Sequence, residues 1–244
     1  MAGLTYTTYK TQIAQMAVVA EDDPNFVAIL PMMIDYASLR ICRDLDLMFT
    51  SVSLHGIGYQ LTAGNRNLSF AQDLPNGTSF VVSEQINLIT PVGQSDPDAA
   101  TRTPLMPTTK EFLDAVYGSA SYTGVPKYFV PFNETLFFVG PTPDDSYYVE
   151  VVGTIRPASL SPTVTTTFIS EYLPDLLVMA SMIYISAYQR NFGKESDDPQ
   201  MAMSYESQYQ LLLKSAVVEE NRKKFDAAGW SSQSPATVAS PTRG

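Results

Sequence analysis

Paired carboxylates are the feature of this sequence most suggestive of chemistry. Asp22-Asp23, Asp144-Asp145 and Asp197-Asp198 stand side by side. Adjacent acids can hold a divalent cation or divide general acid and base work between them. Two of the pairs, however, precede Pro24 and Pro199. An Asp before a helix-opening Pro caps the free amides of the first turn. The third pair lies in the turn Pro141-Thr142-Pro143-Asp144-Asp145, where short acids bond to nearby backbone. Glu150 falls inside a β-rich run, and alternation gives it an outward, solvated position. A hydrolase would need acids such as Asp144 and Glu150 to cooperate in a cleft, and nothing in their spacing demands it. His55 and Cys42 are the single His and the single Cys. That count excludes a disulfide framework, a Cys/His zinc site and any relay that needs more than His55. Cys42, beside Ile41 on a helix, reads as a small buried thiol. His55-Gly56-Ile57-Gly58 lacks the third Gly and the following helix of a dinucleotide loop, so it reads as a turn. No cofactor and no catalytic residue is expected.

Binding features are few. Arg40 with Arg43, and Arg222 with Lys223 and Lys224, are the notable basic groups. A solvated helix face is the plain reading of each, and a subunit or partner contact is the sharper one. Trp230 is the only Trp, and it stands at the root of a Ser/Pro/Thr/Ala-rich stretch that includes Pro235 and Pro241. An aromatic at the base of a flexible arm can anchor docking on another protein. Tyr147 and Tyr148, if exposed, would be the bait of a carbohydrate- or peptide-binding β module. The methionines Met32, Met33, Met179, Met182, Met201 and Met203 follow helical spacing and read as core or seam packing.

The elements that position these residues run helix, strands, helix. Ile13, Met16, Ala17 and Ala20 form one helical stripe, and Phe26, Leu30, Met33, Ala37, Ile41 and Leu45 form a second. Pro31 inside the second predicts a kink or a division of that helix. From about Phe49 to Ala158 the period changes to β alternation, with Val52, Leu54, Leu68, Phe70, Phe80, Val82, Ile86 and Leu88 marking strands. Tyr128–Phe132, Thr135–Val139 and Tyr147–Thr154 are further β-rich runs, arranged as antiparallel meanders. Lys110–Tyr117 reads as a short helix. Pro91–Pro107, with four prolines, reads as a long exposed loop. Beyond Arg156-Pro157 the helical period returns. Leu173, Leu176, Leu177, Ala180, Tyr184 and Ala187 line one helix, with a stop at Gly193. Tyr205, Tyr209, Leu212 and Ala216 line another, with a stop at Gly229.

The expected fold class is therefore α+β. Residues 1–48 and 159–230 form an antiparallel helical bundle from both chain ends, 49–158 an inserted antiparallel β module, and 231–244 a flexible C-terminal arm. The chain has 244 residues, 45% of them apolar, enough for a sizeable core. The first twenty residues do not read as a secretory signal, and no apolar run reads as a membrane span. With 25 acids against 15 bases the net charge is −10, which argues against a surface that grips nucleic-acid phosphates.

In this order the segments resemble the head-to-tail adaptor (connector) proteins of tailed bacteriophages, over about residues 5–230. The opening helices carry it in "DDPNF" and "IDYASLRICRDLDL". The β insert carries it in "DLPNGTSF" and "GVPKYFVPFNETLFFVGPTPDDSYYVEVVGTIRPASLS", and the closing helix pair in "EYLPDLLVMASMIYISAYQRNFGKESDDPQMAMSYESQYQLLLK". The chain departs from the pattern in its longer polar loop, Ser95 to Met106. The resemblance implies a virion protein of the head–tail junction, assembled in the host cytoplasm without membrane contact. It implies a ring, commonly of twelve copies, between the portal and the next tail component (nozzle or tail tube), with DNA passing through the lumen without specific binding. By the same analogy Arg222, Lys223, Lys224, Trp230, Pro235 and Pro241 would meet the portal, and Arg40 and Arg43 a sister subunit. Another tail or collar component of the same plan is the alternative.

Overall fold

The computed structural model describes residues 3–190 and 199–231. In chain order its elements are α1 (Tyr6–Met16), α2 (Pro24–Asp44), β1 (Ser51–Leu54), β2 (Asn67–Ser69), β3 (Ser79–Thr90), β4 (Thr101–Pro104), β5 (Met106–Pro107), α3 (Lys110–Val116), β6 (Thr123–Gly124), β7 (Tyr128–Pro131), β8 (Leu136–Gly140), β9 (Thr142–Pro143), β10 (Val149–Arg156), α4 (Phe168–Tyr172), α5 (Pro174–Arg190) and α6 (Pro199–Ser231). The protein is mixed α+β. It divides into two compact units, one of Met1–Phe49 with Ser159–Gly244, the other of Thr50–Ala158.

The helical unit is built from one-sided helices. Asp23 caps α2, accepting from the amides of Asn25 at 2.8 Å and Phe26 at 3.0 Å, with Pro24 in the first turn. Phe26, Leu30, Met33, Ile34, Ala37 and Ile41 then bury one face. They join Tyr9 and Ile13 of α1, Leu176, Leu177 and Ala180 of α5, and Tyr209 and Ala216 of α6 in one core. α5 packs against α1, α2, α4 and α6. Three sequence expectations need correction. Pro31 does not divide α2, which continues for 21 residues; only the bond to the Val27 carbonyl is forgone. α6 does not stop at Gly229 but runs to Ser231. And α2 is long and apolar enough to cross a membrane by length and composition, although its buried row belongs to this core. The expected stop at Gly193, the cap Asp198 and the arm beyond Ser231 lie outside the described residues.

The β unit has two four-stranded sheets, ordered β1-β10-β3-β4 and β2-β8-β7-β5, and a small pair, β6-β9. Phe80, Ile86, Leu88, Val149 and Val151 of the first sheet and Leu68, Phe129, Phe137 and Val139 of the second form one core. The entry strand β1 pairs with the exit strand β10, from Ser51 opposite Thr154 to Leu54 opposite Val151. The expected meanders are not purely antiparallel, because β5 runs parallel to β7 and β6 parallel to β9. Nor is Pro91–Pro107 all loop. β4 pairs with β3 from Thr101 opposite Thr90 to Pro104 opposite Asn87. As an edge strand it tolerates a Pro that a central strand would not.

Bulges explain the one misplaced side chain in β3. The β3–β10 register shifts twice, leaving Val81 and Glu84 without partners between paired neighbours. Each extra residue inverts the alternation. Val82, between the two shifts, is therefore half exposed, whereas Phe80 before them and Ile86 after them both face the core. Gly153 sits at the first shift. A Cβ there would lie 2.2 Å from the Val82 carbonyl oxygen and 3.0 Å from the Phe80 ring. Gly153→Ala is expected to destabilise the β unit by about 1–3 kcal/mol through this overpacking. Urea unfolding followed by near-UV circular dichroism checks it, and an unchanged midpoint contradicts the account.

Candidate functional site

Most of the described acids that suggested chemistry have structural partners in the fold, while Asp197 and Asp198 lie outside the described residues. Glu150 is the clearest case. It lies on β10 directly opposite Asn87 of β3. Its neighbours Val149 and Val151 face the core, so Glu150 faces the other side of the sheet, as alternation requires. It is not solvated there, contrary to expectation, and is only 5% exposed. It accepts hydrogen bonds from Ser53 Oγ at 2.7 Å, Asn87 Nδ2 at 2.8 Å and Arg102 Nε at 3.0 Å. Arg102 Nη2 also donates to Asp98 at 2.6 Å, and Gln85 donates to Asn87 Oδ1 at 2.8 Å. The cluster therefore ties β1, β10, β3 and β4 together across one sheet face. Burial pushes the Glu150 carboxyl up, but the bonds from Asn87, Ser53 and Arg102, with the Arg102 charge, outweigh it. The group titrates below the ordinary glutamate range.

The other acids have separate partners. Asp144 accepts from Tyr147 Oη at 2.8 Å. Asp145 accepts from the amide of Ser146. Asp144 and Glu150 thus belong to different arrangements, not to one cleft. Tyr147 is not an exposed aromatic. It belongs to the β core, and its phenol is pushed up to about 12 by burial and then by Asp144 and Asp145. Tyr148 is half-buried. His55-Gly56-Ile57-Gly58 forms a turn closed by the Tyr59 amide donating to the Gly56 carbonyl at 3.0 Å. Among the described residues no group of three or more His, Cys, Asp or Glu could hold a metal ion.

Three basic groups of the helical unit, Arg40, Lys223 and Lys224, are claimed within the chain. Arg40 on α2 makes a two-pronged contact with Glu206 on α6, at 2.8 and 2.6 Å. Its guanidinium lies over the Tyr209 ring, 4.3 Å from the centroid, and Tyr209 Oη donates to Asp44 at 2.7 Å. The bond to Glu206 pushes Arg40 further up, and the same bond holds Glu206 below its usual range. Near the far end of α6, Glu220 is buried and accepts from the Met48 amide at 3.2 Å and from Lys223 Nζ at 2.7 Å. Lys223 also contacts Glu219 at 2.9 Å, and Lys224 pairs with Asp46. Phe49 stacks on Phe168 beside this network, with centroids 4.4 Å apart. Arg43 and Arg222 are exposed, and among the described residues neither has an ion-pair partner. Cys42 is half-buried against the helical core, not fully buried. Trp230 lies in the last turn of α6, while Pro235 and Pro241 fall outside the described residues.

Sequence reasoning missed Ser53, Asn87, Asp98 and Arg102 around Glu150, and Glu206, Asp44 and Tyr209 around Arg40. The four-residue step from Asp98 to Arg102 was visible, but it lay in a stretch read as loop. Arg40 and Glu206 are 166 residues apart, and no local pattern announces such a pair.

A chain that commits Glu150 to an in-chain ion pair, Asp23 to a helix cap and Asp144 to a tyrosine hydroxyl is equipped to hold a shape. The family model of the SU10 adaptor protein matches residues 4–239. The chain belongs to this family. None of the curated proteins matches it. The adaptor is accordingly a structural phage protein, a virion component of the head–tail junction, and it works in contact with other head or tail components.

Glu150 gives the adaptor an acid-sensitive seam. A carboxyl held below its unfolded-state value stabilises the fold fully above that value, about 4.3, and loses its effect as pH falls through the folded-state value. Glu150→Gln is expected to cost about 1–3 kcal/mol at pH 7, since Arg102 and Ser53 lose a charged acceptor. The gap to the unaltered protein should narrow as pH falls below the ordinary glutamate value and close once it passes the lower folded-state value. Urea titrations across pH 3–7 check this. A gap independent of pH contradicts the role given to the carboxylate.

Proposed function

We propose that the adaptor acts as a homo-oligomeric ring, of about twelve copies, that joins the portal to the next tail component, a nozzle or tail tube, and leaves a channel for DNA. In this reading the two chain ends make an antiparallel helical bundle that meets the portal and sister copies. The β unit faces the tail, and residues 231–244 form a docking arm. Assembly takes place in the host cytoplasm, without catalysis, cofactor or membrane. The observation that carries the reading is the family match along nearly the whole chain.

Two surface features support it. α2 keeps apolar residues exposed one turn apart on its outer side, Met32 and Tyr36. Beside it lies an open groove of about 490 Å³ lined by Tyr36, Leu39, Arg40, Arg43, Asp44 and Tyr184. Exposed apolar area rimmed by charge suits a protein contact. Arg40 is committed to Glu206, so Arg43 is the cation of this rim that a sister subunit would use. By the same logic Arg222 is the portal-side cation with its charge unclaimed among the described residues, and Lys223, Lys224, Trp230, Pro235 and Pro241 are the other residues proposed to meet the portal. The net charge suits a conduit. Twelve copies at −10 each carry −120, and a wall of like charge repels phosphates instead of holding them.

Removal of residues 231–244 is expected to abolish attachment to portal-bearing heads, read by co-sedimentation. Undiminished attachment takes the arm out of the account. Arg43→Glu is expected to cut the number of copies retained per head at least tenfold while leaving the thermal midpoint within ~2 °C. A full complement of copies excludes this part of α2 as the subunit contact.

A further inference from the structure

The β unit holds a second feature that the ring reading does not use. An open pocket of about 210 Å³ is lined by Arg66, Asn67, Lys110, Leu113, Asp114 and Phe138. Asn67 and Phe138 are opposite each other on β2 and β8, and α3 brings Lys110, Leu113 and Asp114. The helix can close on the sheet because β8 ends in Gly140. A Cβ there would lie 2.6 Å from Leu113 Cδ2 and 3.1 Å from the Tyr117 ring. The pocket is therefore assembled from packed elements.

Its charge is unbalanced. Lys110 Nζ pairs with Asp114 at 2.6 Å, which satisfies one cation. Arg66 has no hydrogen-bond or ion-pair partner among the described residues, although its charge also reaches Asp114. Its Nε is sealed from solvent without a partner, whereas its terminal nitrogens are not sealed. Nε lies buried in the lining at a cost, since it has no acceptor, and the forked end is what the pocket presents. Arg40 and Arg102, the other arginines placed against buried groups, are each claimed by carboxylates. A guanidinium fork matches a carboxylate in geometry and charge. Leu113 and Phe138 offer apolar walls for a short stem. Asp114 at the rim disfavours a doubly charged phosphate more than a single carboxylate.

We propose that this pocket receives an acidic side chain of a second copy of the chain, with Arg66 as the receptor. Copies are a ready source of that ligand, because each brings 25 acids against 15 bases. Arg66 thus supplies a favourable contact where net charges repel. Identification of the donor as a sister copy rests on the ring reading; the carboxylate specificity of the pocket does not.

Two arms separate the claims. In the first, the full chain is titrated with 3-phenylpropionate, its neutral amide and inorganic phosphate, following the Arg66 Nε–Hε and Leu113 amide resonances by NMR. Saturable shifts with the carboxylate at millimolar concentration are expected, with at least tenfold weaker binding of the amide and of phosphate. Lys110→Gln, at an exposed position, should weaken the carboxylate about threefold, and Arg66→Gln should abolish it. Equal response to the amide, tighter phosphate binding or no saturation overturns the proposal. The ring reading would stand in each case. In the second arm, Arg66→Glu is tested for copies retained on portal-bearing heads. A loss of at least tenfold is expected, and full retention overturns the assignment to a sister copy. Failure of the unaltered chain to multiply on heads at all marks instead a failure of the ring reading, since the first arm is independent of it.

Discussion

The apolar face of α2 is covered chiefly by a helix far from it in sequence, with only α1 close by to share the core, and the helical unit depends on that constraint. Phe26, Leu30, Met33, Ile34, Ala37 and Ile41 need a second helix, and the segment that follows is β structure. Cover comes from α5 and α6, more than a hundred residues later, so the core exists only when both ends of the chain meet. Such burial is the main favourable term in folding, at about 25 cal/mol for each Å² of apolar surface. Charge then fixes the alignment that burial leaves loose. Arg40 with Glu206 and Tyr209, and Glu220 with Met48 and Lys223, join the first fifty residues to α6 at separate places.

The β unit applies the same logic to a sheet. One face packs against a second sheet. The other carries a carboxylate that would be costly to bury alone and becomes tolerable through three donors, one of them an arginine. These networks commit the buried carboxylates Glu150 and Glu220 to holding the fold. That fits a family of structural adaptors.

Much of the fold was legible in the residues. Helical stripes, the Asp23-Pro24 cap and the change of period near Phe49 and Ala158 are local signals, and local signals survive into the structure. The failures have physical causes. β4 was hidden because Pro104 looks like a loop residue until its place on a sheet edge is known. Val82 was placed inward because alternation counts residues and cannot see the paired register shifts. Gly229 was read as a helix end, yet a Gly also occurs within helices at modest cost. The surroundings of Glu150 and Arg40 were invisible for a plainer reason. Their partners are set by tertiary register, which no spacing in one sequence encodes.

The pairing of β1 with β10 bears on the order in which the molecule forms. These strands carry the chain into and out of the insert, and their register holds Ser51 beside Thr154. Once that ladder exists, the two halves of the helical unit are joined by what amounts to a short clasp instead of a long excursion. Shortening a closure of about a hundred residues to about ten saves roughly 2 kcal/mol of chain entropy. The insert therefore lowers the contact order that the helices experience. A nascent chain gains most by completing its β structure first and zipping the helices afterwards.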